Sequence, residues 1–418
     1  MGHKHTAVFF FGILIIVLGA CAPLATGSTS EDSIANIPPE EVDPTDAAVP
    51  AEHAGTTEEC EDPFNGRSIQ FSTRFWEGRT NFCLNSISFS EILSGGPPPD
   101  AIPAIDEPVF ESVAEADAWL EEDWPVMFFE WNGEARAYPL AILIWHEIVN
   151  DDIGGEPVTL TFCPLCNATI AFQRTQPDGQ VLDFGTTGNL RNSDLVMYDR
   201  QTFSWWQQFT GEAIVGDMTG TKLKVLPSQI IAWSDFKAAH PDSDVLSRNT
   251  GHVRNYGRNP YAGYDSINSS PFALPPFARD IDDRLVPMER VVAIELNGQD
   301  TAYPFSQLRE IEVVNDEVAG VPIVVFWREG TKSTFGDNGA DTGSTGVFLR
   351  ELDGELLTFD VADEGFEDQE TGSAWNLLGE AVAGPLDGAQ LERVVAAEHF
   401  WFAWVVFKPD TTIWSPSK

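Results

Sequence analysis

Asn132-Gly-Glu-Ala-Arg-Ala-Tyr-Pro-Leu140 returns later in the chain as Asn297-Gly-Gln-Asp-Thr-Ala-Tyr-Pro-Phe305. In each, Asn-Gly tolerates the positive φ that a two-residue turn demands. The flanking runs Val126–Trp131 and Glu134–Tyr138 therefore read as a hairpin. At the same offset Glu147-Ile-Val-Asn-Asp151 matches Glu312-Val-Val-Asn-Asp316, and Gly155 and Pro157 match Gly320 and Pro322. Asp178–Phe184 then matches Asp353–Phe359, Gly211–Gly216 matches Gly379–Gly384, and Trp233 and Pro241 align with Trp401 and Pro409. Matches in a fixed order point to an internal duplication.

Each unit reads as mostly β. Val158–Phe162, Thr169–Arg174 and Val181–Phe184 alternate or run apolar like strands. Short helices are expected at Pro139–Trp145 and Ser234–His240. Another is expected over Ser112–Leu120, with Ser112 as cap and Glu115 three residues on. The fold class is α+β, β-dominant, in two tandem homologous units. The expected organisation is a signal peptide over 1–21, an acidic disordered tether over 22–59 and an N-terminal extension over 60–125. The first repeat unit follows over 126–250, a connector over 251–290, and a second, degenerate unit over 291–418.

Composition bounds the function. Of 418 residues, 43% are hydrophobic and 11% aromatic, enough for a large core. Asp plus Glu number 65 against 24 Lys plus Arg, a formal charge of −41. Such acidity repels phosphate backbones and disfavours nucleic acid as a partner. It equally disfavours adsorption to anionic lipid.

The N-terminus reads as an address. Lys4 precedes an apolar run from Ala7 to Leu18 that is short for a membrane span and suits a signal-peptide core. It ends in Leu18-Gly-Ala-Cys21, which resembles a bacterial lipobox. The expectation is a chain lipid-anchored to a membrane through Cys21, with its domains in an extracytoplasmic space. Residues 22–59 carry no Lys or Arg and are rich in Pro, Ala, Ser and Thr, so they cannot bury enough apolar surface to fold. Cys60 and Cys83 are expected to pair in an oxidising compartment.

Residues private to one unit are the site candidates. His146 aligns with Ile311. Cys163-Pro-Leu-Cys166 aligns with a longer, Cys-free stretch from Arg328 to Gly346. A glycine-bearing loop from Gly185 to Ser193, carrying Arg191, falls where the second unit is shortened, and Gln369 replaces Arg200. A CxxC turn can aim two thiolates at one metal, form a redox dithiol, or be a static disulfide or packed pair. His146 would make a third ligand for zinc or copper, with Glu147 or Asp151 as a possible fourth, or act as acid/base beside a thiolate. Arg191 and Arg200 are rare positive charges that could hold an anionic group there. The expectation is that His146, Cys163 and Cys166 converge.

Three motifs together resemble a known family. They are His146-Glu-Ile-Val-Asn-Asp, Thr161-Phe-Cys-Pro-Leu-Cys-Asn, and Met197-Tyr-Asp-Arg-Gln-Thr-Phe-Ser-Trp-Trp-Gln. Ile102–Asp106, Asn249–Gly251 and Arg258–Tyr261 add to the likeness. The sequence from about residue 98 onward resembles the domain-of-unknown-function 3179 family of prokaryotic, often exported, proteins. That resemblance implies no reaction. The function expected from the residues is a thiol-based redox or metal site. The alternative is a non-catalytic module binding a ligand, polysaccharide or protein through Trp205, Trp206, Tyr256, Tyr261 and Tyr264. No GxSxG, HExxH or P-loop pattern is present.

Overall fold

The first half is built on hairpins. A computed structural model describes residues 60, 62–272, 282–335 and 340–416. The expectations for 1–59, Cys21 included, lie outside these residues. Strands β1 (Ile92–Ser94) and β2 (Phe110–Ser112) lead into helix α1 (Val113–Ala116). Ser112 and Glu115 form the expected capping box, yet only one turn is helical. The chain then tightens into turns in which the Trp119 amide donates to the Ala116 carbonyl. β3 (Pro125–Trp131) and β4 (Glu134–Pro139) flank the Asn-Gly turn, where φ is 50° at Asn132 and 78° at Gly133. Helix α2 (Leu140–His146) follows. It stops where Glu147 adopts φ 60° and its amide caps the Leu143 carbonyl.

Strands β5 (Ile148–Ile153), β6 (Glu156–Cys163) and β7 (Ala168–Gln173) make an antiparallel meander. β8 (Phe184–Arg191) and β9 (Asp194–Asp199) form a long hairpin that continues into β10 (Trp205–Gln207) and β11 (Glu212–Val215). The expected loop over Gly185–Ser193 is therefore mostly strand. Its Gly-Thr-Thr-Gly-Asn run has poor strand propensity, but β1 and β9 pair with both of its edges. The hairpin turns through Asn192 and Ser193, both with positive φ. A bulge between Thr186 and Asn189 is allowed by Gly188. Its φ is 72°, and a Cβ there would stand 1.9 Å from the Pro97 carbonyl oxygen. β12 (Val225–Leu226), β13 (Gln229–Ala232), helix α3 (Trp233–Ala239) and β14 (Asp244–Leu246) complete this half. β13 lies on β3, and β14 runs parallel to β4.

The second half runs β15 (Arg290–Leu296), β16 (Gln299–Pro304), helix α4 (Phe305–Ile311), β17 (Val313–Val318), β18 (Val321–Arg328) and β19 (Ser344–Leu349). Strand Ala396–Phe400 then lies on β15, as β13 lies on β3. The architecture is β-dominant, with several antiparallel sheets and few helices. Apolar side chains from both halves pack together. Val126 and Phe128 share a cluster with Phe326 and Phe348, and Phe162 and Cys163 share another with Phe335 and Phe400.

Candidate functional site

The Cys163–Cys166 turn joins β6 to β7, with the Cys166 amide donating to the Cys163 carbonyl at 3.2 Å. Other segments fix it from outside. The Phe400 amide donates to the Cys166 carbonyl at 2.9 Å, and the Tyr264 hydroxyl donates to the Leu165 carbonyl at 3.1 Å. Both cysteines are buried free thiols.

Asp194, the first residue of β9, meets them. One ligand atom from each of Cys163, Cys166 and Asp194 lies within 4.8 Å of the other two. Asp194 Oδ2 accepts from Gln207 Nε2 at 2.5 Å and from the Phe209 amide at 2.9 Å. Asp194 Oδ1 is buried and has no hydrogen-bond partner. Ser193 Oγ beside it and Asn189 Nδ2 on β8 are orphaned in the same way. Buried polar atoms are rarely left so, and these three gather on one hairpin.

The electrostatics agree. Burial pushes the Asp194 carboxyl up to about 6, against the pull of Gln207, the Phe209 amide and the two thiols. Burial pushes both thiols up as well. Glu147 faces the same region and is pushed up to about 8, by burial first and then by Asp194. Four acids are thus gathered away from water. A cation would offset the cost of ionising them, and displacement of their protons is the usual chemistry of a thiolate metal site.

Beside the cluster is a cavity of about 420 Å³ whose lining includes Glu147, Leu165, Asn189, Leu195, Tyr261 and Tyr264. No Lys, Arg or His lines it among the described residues. Apolar walls with a few convergent polar groups are the usual make-up of a small-molecule site.

Other candidates are placed elsewhere. His146 Nδ1 lies 2.7 Å from the Pro103 carbonyl, and its Nε2 lies 2.8 Å from the Tyr256 hydroxyl. A carbonyl only accepts, so Nδ1 carries the proton and Nε2 accepts from Tyr256. Both nitrogens are engaged there, and the group that the structure brings together holds Asp194 with the two cysteines, without His146. Burial lowers His146 to about 4, so it is a neutral structural group. Asp151 accepts from Arg136 at 2.7 Å and from Tyr138 at 2.6 Å, away from the thiols.

Arg191 is paired with Glu91 at 2.7 Å, and Arg200 with Asp106 and Asp100. Neither lines the cavity, so neither holds an anion there. Trp205 and Trp206 are fully buried and offer no binding surface, whereas Tyr261 and Tyr264 line the cavity. Cys60 and Cys83 are joined by a disulfide.

Asp194 is the residue that sequence reasoning missed. The signal was present: the paired ends Phe184 and Asp199 span a hairpin longer than that between Phe359 and Asp368. Asp194 lies within the additional length, one residue beyond the stretch read as a loop.

A family model described as "Protein of unknown function (DUF3179)" matches residues 99–411. No curated protein and no solved structure matches the chain.

Proposed function

The chain belongs to the DUF3179 family, and we propose that it carries a buried thiolate–carboxylate metal centre beside a small-molecule cavity. The observation that carries this reading is the buried convergence of Cys163, Cys166 and Asp194, with Asp194 Oδ1 unpartnered. Two thiolates and one carboxylate suit zinc better than copper. Copper(I) selects soft donors throughout, whereas zinc accepts sulfur and oxygen together. Three protein ligands leave room for a water or a substrate atom, the arrangement of catalytic rather than structural zinc sites. When bound, the metal would supply Lewis acidity. The protein's own part is to hold the thiols on a fixed turn, hold Asp194 through Gln207 and Phe209, and keep Glu147 protonated as a hydrogen-bond donor beside the cavity.

A redox dithiol is the second reading, favoured by the closeness of the two sulfurs. Reactive thiols need a depressed pKa, however, and burial pushes both of these up. Elemental analysis of the purified chain, followed by cobalt exchange, separates the two. Metal bound in a one-to-one ratio, with a sulfur-to-cobalt absorption band lost in Cys163→Ser, supports the centre. A metal-free chain with a Cys163–Cys166 disulfide that cycles with a dithiol reductant supports the alternative.

Location and ancestry form part of the same proposal. Lipid attachment at Cys21 would place the domains outside the cytoplasm. The Cys60–Cys83 bridge is consistent with that compartment. The halves would descend from one duplicated unit. Support comes from matched bonds: Tyr138 to Asp151 and Tyr303 to Asp316, then Trp206 to Asp199 and Trp375 to Asp368. The second unit would have lost, or never gained, the cysteine turn and the long hairpin. Cys21→Ser abolishing lipid labelling is the check on the anchor.

A further inference from the structure

Strand Ala396–Phe400 holds a buried imidazole that the metal centre does not use. His399 pairs with Val291, which in turn pairs with Pro304. In the first half the same register position is Ile231, opposite Val126 and Pro139. An apolar residue therefore suffices for the fold at this point, and the imidazole is an addition. It is 1% exposed, and its Nδ1 has no hydrogen-bond partner. Its ring centroid lies 4.7 Å from Phe209 and 5.3 Å from Trp404.

The ring lines a separate cavity of about 300 Å³ between the halves. Phe209, Trp404 and Phe407 give this cavity aromatic walls, and Phe209 and Phe407 stack at 4.5 Å. Lys222, Lys408, Glu212 and Glu295 also line it, so its charged groups balance. Lys408 is tied to Glu295 and Asp300. Burial holds His399 neutral, pushing it down to about 3. A neutral imidazole offers one N–H and one lone pair.

We propose that this cavity is a second binding site, for a neutral monocyclic aromatic molecule bearing a hydroxyl group. The ring would stack on the aromatic walls, and the hydroxyl, which both donates and accepts, would bond the His399 imidazole, which lines the cavity. An anion is disfavoured because Glu212 and Glu295 stand against the two lysines.

The test is titration of the purified full chain with phenol, toluene and cyclohexanol, followed by calorimetry and by the imidazole nitrogen resonances. Phenol should bind saturably and shift the His399 nitrogens. It should bind at least about tenfold more tightly than toluene, the worth of one buried hydrogen bond. Cyclohexanol, which cannot stack, should also bind more weakly. His399→Phe should erase the preference for phenol over toluene. Should that variant fail to fold, Ala397→Leu, which narrows the cavity from its wall, should abolish binding. The idea is overturned by no saturable binding of phenol, by equal binding of phenol and toluene, or by unchanged binding in the folded variant. Metal content should stay the same throughout, which keeps this outcome separate from the fate of the cysteine centre.

Discussion

Replacing Asp194 by Asn isolates the carboxylate's role with the least disturbance. The amide oxygen can still accept from Gln207 Nε2 and from the Phe209 amide, which now bond Oδ2 at 2.5 and 2.9 Å. Volume is unchanged, so the hairpin should keep its place. Oδ1, the oxygen without a partner, becomes a neutral NH2 group, a poor ligand. Zinc at a hundred times its dissociation constant should stabilise the parent by about 2.7 kcal/mol. Losing a direct ligand should weaken binding by at least about 100-fold, since losing an outer partner alone costs up to that much. The same zinc concentration would then stabilise the variant by only about 0.4 kcal/mol. In chelator the order should reverse. Burial raises the folded pKa of Asp194 from 3.8 to about 6, so the parent loses stability as pH rises through that window. The variant does not, and at pH 8 it should lead by up to about 3 kcal/mol. Urea denaturation at pH 4 and pH 8, with zinc and with chelator, reads all four conditions. Equal zinc stabilisation of parent and variant would falsify Asp194 as a ligand. A variant weaker than the parent in chelator at pH 8 would show that the carboxylate is not carrying a burial cost.

Three further outcomes follow from other parts of the molecule. Gly188→Ala should cost at least about 3 kcal/mol by thermal denaturation, because positive φ and a Cβ 1.9 Å from the Pro97 carbonyl cannot both be relieved. Cys83→Ser should cost about 3 kcal/mol, with a free thiol at Cys60 in peptide mapping, since the bridge closes a separation of 23 residues. Glu398 is raised by burial from 4.5 to about 7, despite the Arg290 charge and the Thr345 hydroxyl bonded at 3.1 Å. The parent should therefore lose about 3 kcal/mol as pH rises through that interval. Glu398→Gln should flatten this slope in a pH series of denaturation midpoints.

Local chemistry made much of the fold legible. The Asn-Gly turn, the capping box at Ser112 and the short helix after Tyr138 are written in adjacent residues, and their elements formed at or near the expected places. The site was legible only in half. Cys163 and Cys166 declare themselves by spacing, but the third member comes from a strand whose approach depends on long-range pairing. A chain read residue by residue gives Gly185–Asn189 little claim to be a strand, because the neighbours that make it one lie at β1 and β9. The surroundings of His146, the Pro103 carbonyl and the Tyr256 hydroxyl, come from equally distant parts of the chain. Being private to one unit says that a residue is not needed by the other, and it does not say which way the side chain turns.

The two-residue turn at Asn192 and Ser193 acts as a ruler. Because side chains alternate along a strand, shifting its register by one residue would carry Asp194 to the opposite face and put a neighbour, Ser193 or Leu195, toward the sulfurs. Insertions should be tolerated between β18 and β19, where the second half already carries a long connection, and selected against at this tip. Length variation at this tip, more than amino-acid identity, should therefore track whether Cys163, Cys166 and Asp194 still converge.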